Sequence, residues 1–274
     1  MEYQDKFIAY IDILGFKKLV EDSENGTGLP LSKMIEILQL LGTSEDVSEL
    51  KKNGPIICPG SKYIQRDLNF KLTQISDCVV VSSEVSPAGV INLISYCAQV
   101  VLRLLERGIM CRGYITKGSI YHTDSQFIGS GYFEAYSKEE KVKVFKREND
   151  KEGTPFVELN PAVCEFVTDC GDACVKKMFS RFVKDDGEIS ALFPFQRLSH
   201  SFIIAGLGNK FDPKKEKESN RNMRLLIEKL KVRLMEFVDT ADSEGKEKVK
   251  HYIKALDEQL AVCDKTDEMI DRLG

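Results

Sequence analysis

Phe7-Ile8-Ala9-Tyr10-Ile11-Asp12-Ile13-Leu14-Gly15-Phe16 is the stretch on which the reading of this chain turns. Its first residues are β-branched and aromatic, with apolar side chains on both faces, the pattern of a strand buried in the middle of a sheet. The run breaks at Leu14-Gly15-Phe16, and Lys17-Lys18-Leu19-Val20 reads as the opening of a helix. An acid, Asp12, thus stands at the end of a buried strand.

Outward from this stretch, Leu31 to Leu41 places apolar residues at helical spacing, and Lys51 to Gly60, with two prolines and two glycines, reads as a surface connection. Leu68 to Ile75 alternates as a strand, Ser76-Asp77 turns the chain, and Cys78-Val79-Val80-Val81 returns, giving a hairpin with an acid at its tip. Pro87 to Arg107 reads as a long helix stopped by Gly108. Strands are expected at Met110 to Ile120, Phe127 to Gly129 and Phe156 to Leu159, and helices at Glu134 to Val144 and from Asn160-Pro161 to Thr168. Asp185-Asp186-Gly187 marks a further hairpin between Phe179–Val183 and Ile189–Phe195. This order implies an α/β (α+β) sandwich with a largely antiparallel sheet.

From Lys214 the character changes. Leu225, Leu226, Leu230, Leu234 and Phe237 recur at helical spacing in a highly charged segment, and Lys246 to Val262 repeats the style. Two amphipathic helices paired as a hairpin are expected, so residues 1–212 read as one domain and 213–274 as a helical extension.

Composition narrows the function classes. The formal net charge is -4, which offers no global basic field for DNA or RNA. Aromatic residues make up 9% of the chain and are scattered along it, with no stacking platform for nucleic acid evident in the linear order. No apolar run reads as approaching the roughly 20 residues that cross a bilayer, and Met1 to Lys6 lacks a basic leader region, so a cytoplasmic setting is expected. The eight cysteines fit buried free thiols, and the spacing of Cys164, Cys170 and Cys174 matches no zinc-ligand pattern.

Chemistry concentrates at two acids. Asp12 would emerge at the end of its strand, where Gly15 permits close backbone approach and the amides of Gly15 and Phe16 open a helix able to bind phosphate. Asp77 could face Asp12 if the two strands are neighbours, and the pair would then clamp divalent cations for phosphate chemistry. The plainer alternative is that each is a turn residue, as an Asp near Gly or at a hairpin tip commonly is.

With these residues in hand, the chain resembles the class III nucleotidyl cyclases. Tyr10-Ile11-Asp12-Ile13-Leu14-Gly15-Phe16 is similar to that family's first-strand motif, and Ile75-Ser76-Asp77 resembles its Ile-Gly-Asp hairpin with Ser76 in place of glycine. Arg112 to Ile120 resembles the fourth strand, and Gly129-Ser130-Gly131 with Glu134-Ala135-Tyr136 falls at the family's glycine turn and following helix. These matches keep their order from residue 7 to about residue 145.

The resemblance implies that Asp12, Asp77 and the Ile13 carbonyl hold two divalent cations, Mn²⁺ or Mg²⁺. A nucleoside triphosphate would be converted to a 3′,5′-cyclic nucleotide and pyrophosphate. It also implies a homodimer with its sites between subunits, and a base-recognition role for Thr73, where adenylate cyclases carry Lys and guanylate cyclases Glu. The family's transition-state Asn and Arg fall near Phe133 and Ser137, which cannot supply those contacts; Lys138 or Lys117 would be the replacement cation, a lysine being a poor substitute for a bidentate guanidinium. Within the family, the short chain, altered base position and charged tail resemble the pyrimidine cyclases of Pycsar anti-phage systems, which implies UTP or CTP as substrate and a separate cyclic-nucleotide-binding effector. The alternative is a cyclase-like sensor or scaffold without turnover. Arg112 could contact phosphate or serve its own strand end, the structural role being favoured, and His122 reads as a loop residue. Lys141, Lys143, Lys146 and Arg147 follow the glycine turn and could reach a triphosphate, a solvated helix face being favoured, and His200 and His251 have no identifiable partner.

Overall fold

The computed structural model describes residues 1–54, 68–150, 153–200, 211–240 and 243–274. The chain divides into two compact units, Met1–Phe193 and Pro194–Gly274.

The first unit is built around β1 (Gln4–Ile13). It is followed by α1 (Phe16–Glu24), α2 (Leu31–Gln39), α3 (Ser44–Asn53), β2 (Lys71–Ile75), β3 (Cys78–Glu84) and α4 (Pro87–Leu105). Then come β4 (Cys111–His122), β5 (Phe127–Ile128), α5 (Ser130–Glu139), β6 (Val157–Leu159), α6 (Pro161–Asp169), α7 (Ala173–Phe179), β7 (Val183–Asp185) and β8 (Ser190–Leu192). The strands lie in the order β2-β3-β1-β4-β6-β8-β7, with β5 paired to β4. Only β4 and β6 pair in parallel among the described strands. The expected α/β architecture with a largely antiparallel sheet is what the chain adopts.

β1 is central because both of its faces are covered. Phe7, Ala9, Ile11 and Ile13 point into the main core with α4, while Ile8 and Tyr10 join a smaller cluster with Val80, Tyr114, Ile120 and Ala135 on the opposite face. Each large apolar side chain hidden this way contributes about 1.5–3 kcal/mol. The second face is covered by α5, which approaches closely because a Cβ on Gly118 would stand 2.9 Å from the Gly131 Cα. Two glycines therefore set how near helix and strand can come.

α4 corrects one expectation. Pro87–Leu105 is long and apolar enough to cross a bilayer by length and composition, yet 78% of that stretch is buried inside the protein. Ser95, Tyr96 and Gln99 interrupt the apolar run in sequence without opening a wide polar face on the helix. The Ser86 side chain accepts the Gly89 N–H at 3.0 Å, and Gly108 ends the helical segment with φ +73°.

Other boundaries move too. The helix expected over Glu134 to Val144 runs instead over Ser130–Glu139, so Lys141, Lys143, Lys146 and Arg147 lie beyond it and form no helix face. Val142 and Val144 are buried in the loop, which is why they mimic helical periodicity. Phe179 ends α7 rather than beginning a strand, and the Asp185-Asp186-Gly187 hairpin joins shorter strands. The connection expected from Lys51 begins inside α3, whose Thr43–Asp46 capping box anchors its start, and residues 55–60 lie outside the described residues.

The second unit holds a 3₁₀ turn (Pro194–Arg197), α8 (Pro213–Thr240) and α9 (Ser243–Leu273). α8 and α9 pair as the expected hairpin, with Ile227, Leu230 and Leu234 buried alongside Val249, Tyr252, Leu256 and Ile270. The side chain of Phe237 lies outside the described residues. Arg224 bridges Asp264 at 2.8 Å and Asp267 at 3.3 Å. His200 has partners after all, lying 2.5 Å from Glu216 and 3.0 Å from Ser219.

Candidate active site

The register of the central strands brings the two acids together. Asp12 pairs across β1 and β3 with Cys78, whose preceding residue is Asp77 in the β2–β3 turn. The Asp77 carbonyl accepts the Ile13 N–H at 3.1 Å, tying the hairpin tip to the end of β1. Ser76 turns the chain there with φ +51°, a conformation glycine would adopt more readily. On the other side Asp12 pairs with Arg112 of β4. Cys78, Asp12 and Arg112 thus form one row on the α5 face, because cross-strand partners share a face.

Among the described residues neither the Asp12 nor the Asp77 carboxylate has a side-chain ion pair or hydrogen bond. Burial first, and then the charges of Asp77 and Glu139, push the Asp12 carboxyl up to about 7, with Arg112 only partly offsetting them. Arg112 is engaged elsewhere: its Nε donates to Glu139 Oε1 at 2.5 Å, with the two side chains 12% and 5% exposed. Its terminal amino groups have no hydrogen-bond partner among the described residues, so they remain available to an anion.

The donor set suits a hard divalent cation. Two carboxylates that repel one another are relieved by a charge between them, and oxygen is the ligand such ions take. Among the described residues no group of three or more His, Cys, Asp or Glu side chains converges on one point, so the pair would bind a cation with help from backbone, substrate or water oxygens. The Ile13 side chain is buried in the main core, which leaves its backbone as the atoms it can offer.

The helix after Asp12 begins as expected. Gly15 caps α1 with φ +73°, and a Cβ there would meet nothing within 4 Å, so backbone conformation and not space demands glycine. The Phe16 side chain packs into the main core, leaving its N–H at the helix start.

Thr73 is placed differently from a free base-reading residue. It is 9% exposed, and its hydroxyl lies 3.1 Å from His122 Nε2 and donates to the Thr123 carbonyl at 3.4 Å. His122 Nδ1 lies 2.8 Å from Ser82 Oγ, which accepts at 3.4 Å from Lys6, a lysine only 2% exposed that also donates to the Asn69 carbonyl at 2.7 Å. Since Thr73 gives its own hydrogen to the Thr123 carbonyl, the ring N–H sits on Nε2 and donates to Thr73, and Nδ1 accepts a hydrogen bond from the Ser82 hydroxyl. Burial, then Lys6 and Lys71, lower the His122 pKa to about 4, so the ring is neutral. His122 is therefore the end of β4 and a buried network member, not a loop residue.

The expected replacement cations, Lys138 on α5 and Lys117 on β4, are exposed, as are Ser137 and Phe133 at the positions where the resemblance expects Arg and Asn, Phe133 at 58%. Sequence reading missed what surrounds them. Tyr136, 51% exposed, lies edge-on to Tyr10 at 5.5 Å and stacks with Tyr132 at 6.1 Å, while Phe133 and Phe127 flank Tyr132 at 5.4 and 4.6 Å. The scattered aromatics converge here because β1 and α5 lie against one another; the Tyr spacing 132/136 on one helix face was the signal available.

A separate cavity of about 380 Å³ lies between α6 and the β7–β8 hairpin, with Glu158, Glu165, Asp169 and Glu188 on its wall. Its lining includes no Lys or Arg to meet a triphosphate, whereas Arg112 stands beside Asp12, so the acid pair remains the better site for phosphate chemistry.

No family model matches the chain, and none of the curated proteins matches it. Among solved structures, the chain is similar to the catalytic core of a rhodopsin-guanylyl cyclase with converted specificity in complex with ATPalphaS, with 12% sequence identity and a TM-score of 0.40 over 62% of this chain and 83% of that one.

Proposed function

We propose that this protein is a nucleotidyl cyclase that converts a nucleoside triphosphate to a 3′,5′-cyclic nucleotide and pyrophosphate. The observation that carries the reading is the unpaired carboxylate pair, Asp12 and Asp77, held side by side by the β1–β3 register and the Ile13–Asp77 backbone bond. Asp12 and Asp77, with the Ile13 carbonyl, are the groups that would hold two divalent cations, Mn²⁺ or Mg²⁺. Bound there, such cations acidify a ribose hydroxyl and screen the oxyanions of a triphosphate. Arg112, aimed by Glu139, offers its free guanidinium N–H groups to phosphate oxygens. The N–H groups of Gly15 and Phe16 at the start of α1, a few residues after Asp12, would add a partial positive charge for phosphate. Lys138 is exposed at the end of α5 and supplies a mobile cation rather than a fixed one.

The ribose 3′-hydroxyl then attacks the α-phosphorus in line, closing the cyclic diester as pyrophosphate leaves. Thr73 in place of a purine-reading Lys or Glu supports a pyrimidine substrate, UTP or CTP, and so an anti-phage second messenger read by a separate cyclic-nucleotide-binding effector. A cytoplasmic homodimer with sites shared between copies belongs to the same reading. One observation favours a second reading, a nucleotide-binding sensor without turnover: Phe133 and Ser137 stand exposed where the resemblance expects Asn and Arg.

The test is incubation with Mn²⁺ and each of the four ribonucleoside triphosphates, alongside Asp12→Ala and Asp77→Ala. Cyclic product from UTP or CTP, lost in both variants, is expected. Product from ATP or GTP would overturn the pyrimidine assignment alone. Metal-dependent binding without product would give the sensor reading.

A further inference from the structure

The aromatic cluster beside the acid pair has no role in the chemistry above, and two of its rings, Phe133 and Tyr136, are exposed. Tyr10 precedes Asp12 by two residues on the same face of β1, so the ring that packs against Tyr10 also lies beside the acids. That ring is Tyr136, with half of its surface open to solvent. Its position is fixed from two directions, by Tyr10 at 5.5 Å beneath and by Tyr132 stacked one helical turn before it at 6.1 Å. An exposed ring held at a set angle loses little freedom when something stacks on it.

We propose that Tyr136 is the stacking platform for the nucleobase, holding the base by its π-face while the phosphates lie at Arg112 and the acid pair. This rests on the nucleotide reading above and adds to it the contact that binds the base. The occupant follows from the neighbourhood: a ligand here must be anionic at one end, to meet Arg112 and cations at Asp12 and Asp77, and flat at the other, to lie on the ring. Stacking accepts any base, since every base has a π-face. Affinity from Tyr136 is therefore shared by pyrimidine and purine nucleotides, and discrimination has to come from another position.

The experiment measures binding to the full chain with Mn²⁺ present. The probes are 3′-deoxyuridine triphosphate and 3′-deoxyadenosine triphosphate, which lack the attacking hydroxyl, and inorganic tripolyphosphate, which lacks the base. Tyr136→Ala is expected to weaken both nucleotides about 10- to 100-fold and leave tripolyphosphate unchanged, with Tyr136→Phe close to wild type. Equal weakening of nucleotides and tripolyphosphate, or no weakening of either, overturns the proposal while the nucleotide reading stands. A wild type that binds none of the three, or binds tripolyphosphate alone, overturns both. Light scattering on the same samples decides the competing occupant: if Tyr136→Ala dissociates the protein and nucleotide and tripolyphosphate affinity fall together, the ring serves contact with a second copy and the proposal falls.

Discussion

Replacing Asp12 by Asn should make the metal-free protein more stable at neutral pH, against the usual direction for a substitution at a half-buried polar position. Its carboxyl is raised from 3.8 to about 7, first by burial and then by Asp77 and Glu139. A folded-state pKa above the unfolded value means that the folded protein binds the proton more tightly, so stability falls as pH rises between these two values. The penalty is absent below about pH 4 and complete above about pH 7. The full shift would correspond to about 4 kcal/mol, but the carboxylate is partly open to water and screening reduces this to about 1–2 kcal/mol. Asp12→Asn keeps the shape and removes the charge. In urea unfolding with chelator present, the variant should exceed wild type by that amount at about pH 8, and the two should converge at about pH 4. Adding millimolar Mn²⁺ should reverse the order, because a cation bound to the folded wild type stabilises it and finds only Asp77 in the variant. A variant less stable than wild type at about pH 8, or a gain independent of pH, would refute the account of strained, cation-ready acids.

Two further outcomes test the supporting structure. His122 is held at about 4 against an ordinary 6.5, so stability is complete above about pH 6.5 and is lost as pH falls toward 4; unfolding at about pH 5 should show about 2 kcal/mol of loss from this group, a slope that His122→Gln removes. Gly118→Ala drives a methyl to 2.9 Å from the Gly131 Cα, which is backbone and cannot swing away, so α5 must lift from β4; a destabilisation of about 1–3 kcal/mol is expected, with changed near-ultraviolet dichroism from the tyrosines of α5.

What the sequence made legible is what local pattern controls. β1 is a continuous apolar run, the β2–β3 hairpin carries its turn at Ser76-Asp77, and α8 and α9 show their apolar stripes, so all were readable. α3 was not, because Ser-Glu-Asp-Val-Ser-Glu-Leu-Lys-Lys-Asn is mostly polar and its helix depends on the Thr43 cap and packing. The end of α5 was misplaced because two buried valines in the following loop keep the helical beat. For the site, the acid pair was visible through its motifs. The Arg112–Glu139 bridge, the Lys6–Ser82–His122–Thr73 chain and the Tyr10–Tyr136 contact were not, since each joins residues on different elements through strand register and the path of α5.

These two origins bear on turnover as well as legibility. Asp12, Asp77 and Arg112 are set by the register of β1 with β3 and β4, a ladder that runs nearly the whole length of β1. On the proposed reading, that part of the site is the one that would hold a triphosphate with its cations. The helix α5, which the resemblance would charge with contacts to the transition state, presents Phe133, Tyr136 and Ser137 in their place. Aromatic stacking holds a base equally in the ground state and the transition state, so it improves binding and does not lower the barrier. A hydrogen-bond donor aimed at developing charge does lower it, by about 10²- to 10³-fold in rate for each one removed. A site whose strands bind phosphate and whose helix binds base should therefore hold its nucleotide well and turn it over slowly, unless another group supplies the missing donors. Arg112 is a described cation close to that task, since it pairs with Asp12 across the strands and its charge already acts on the Asp12 carboxyl.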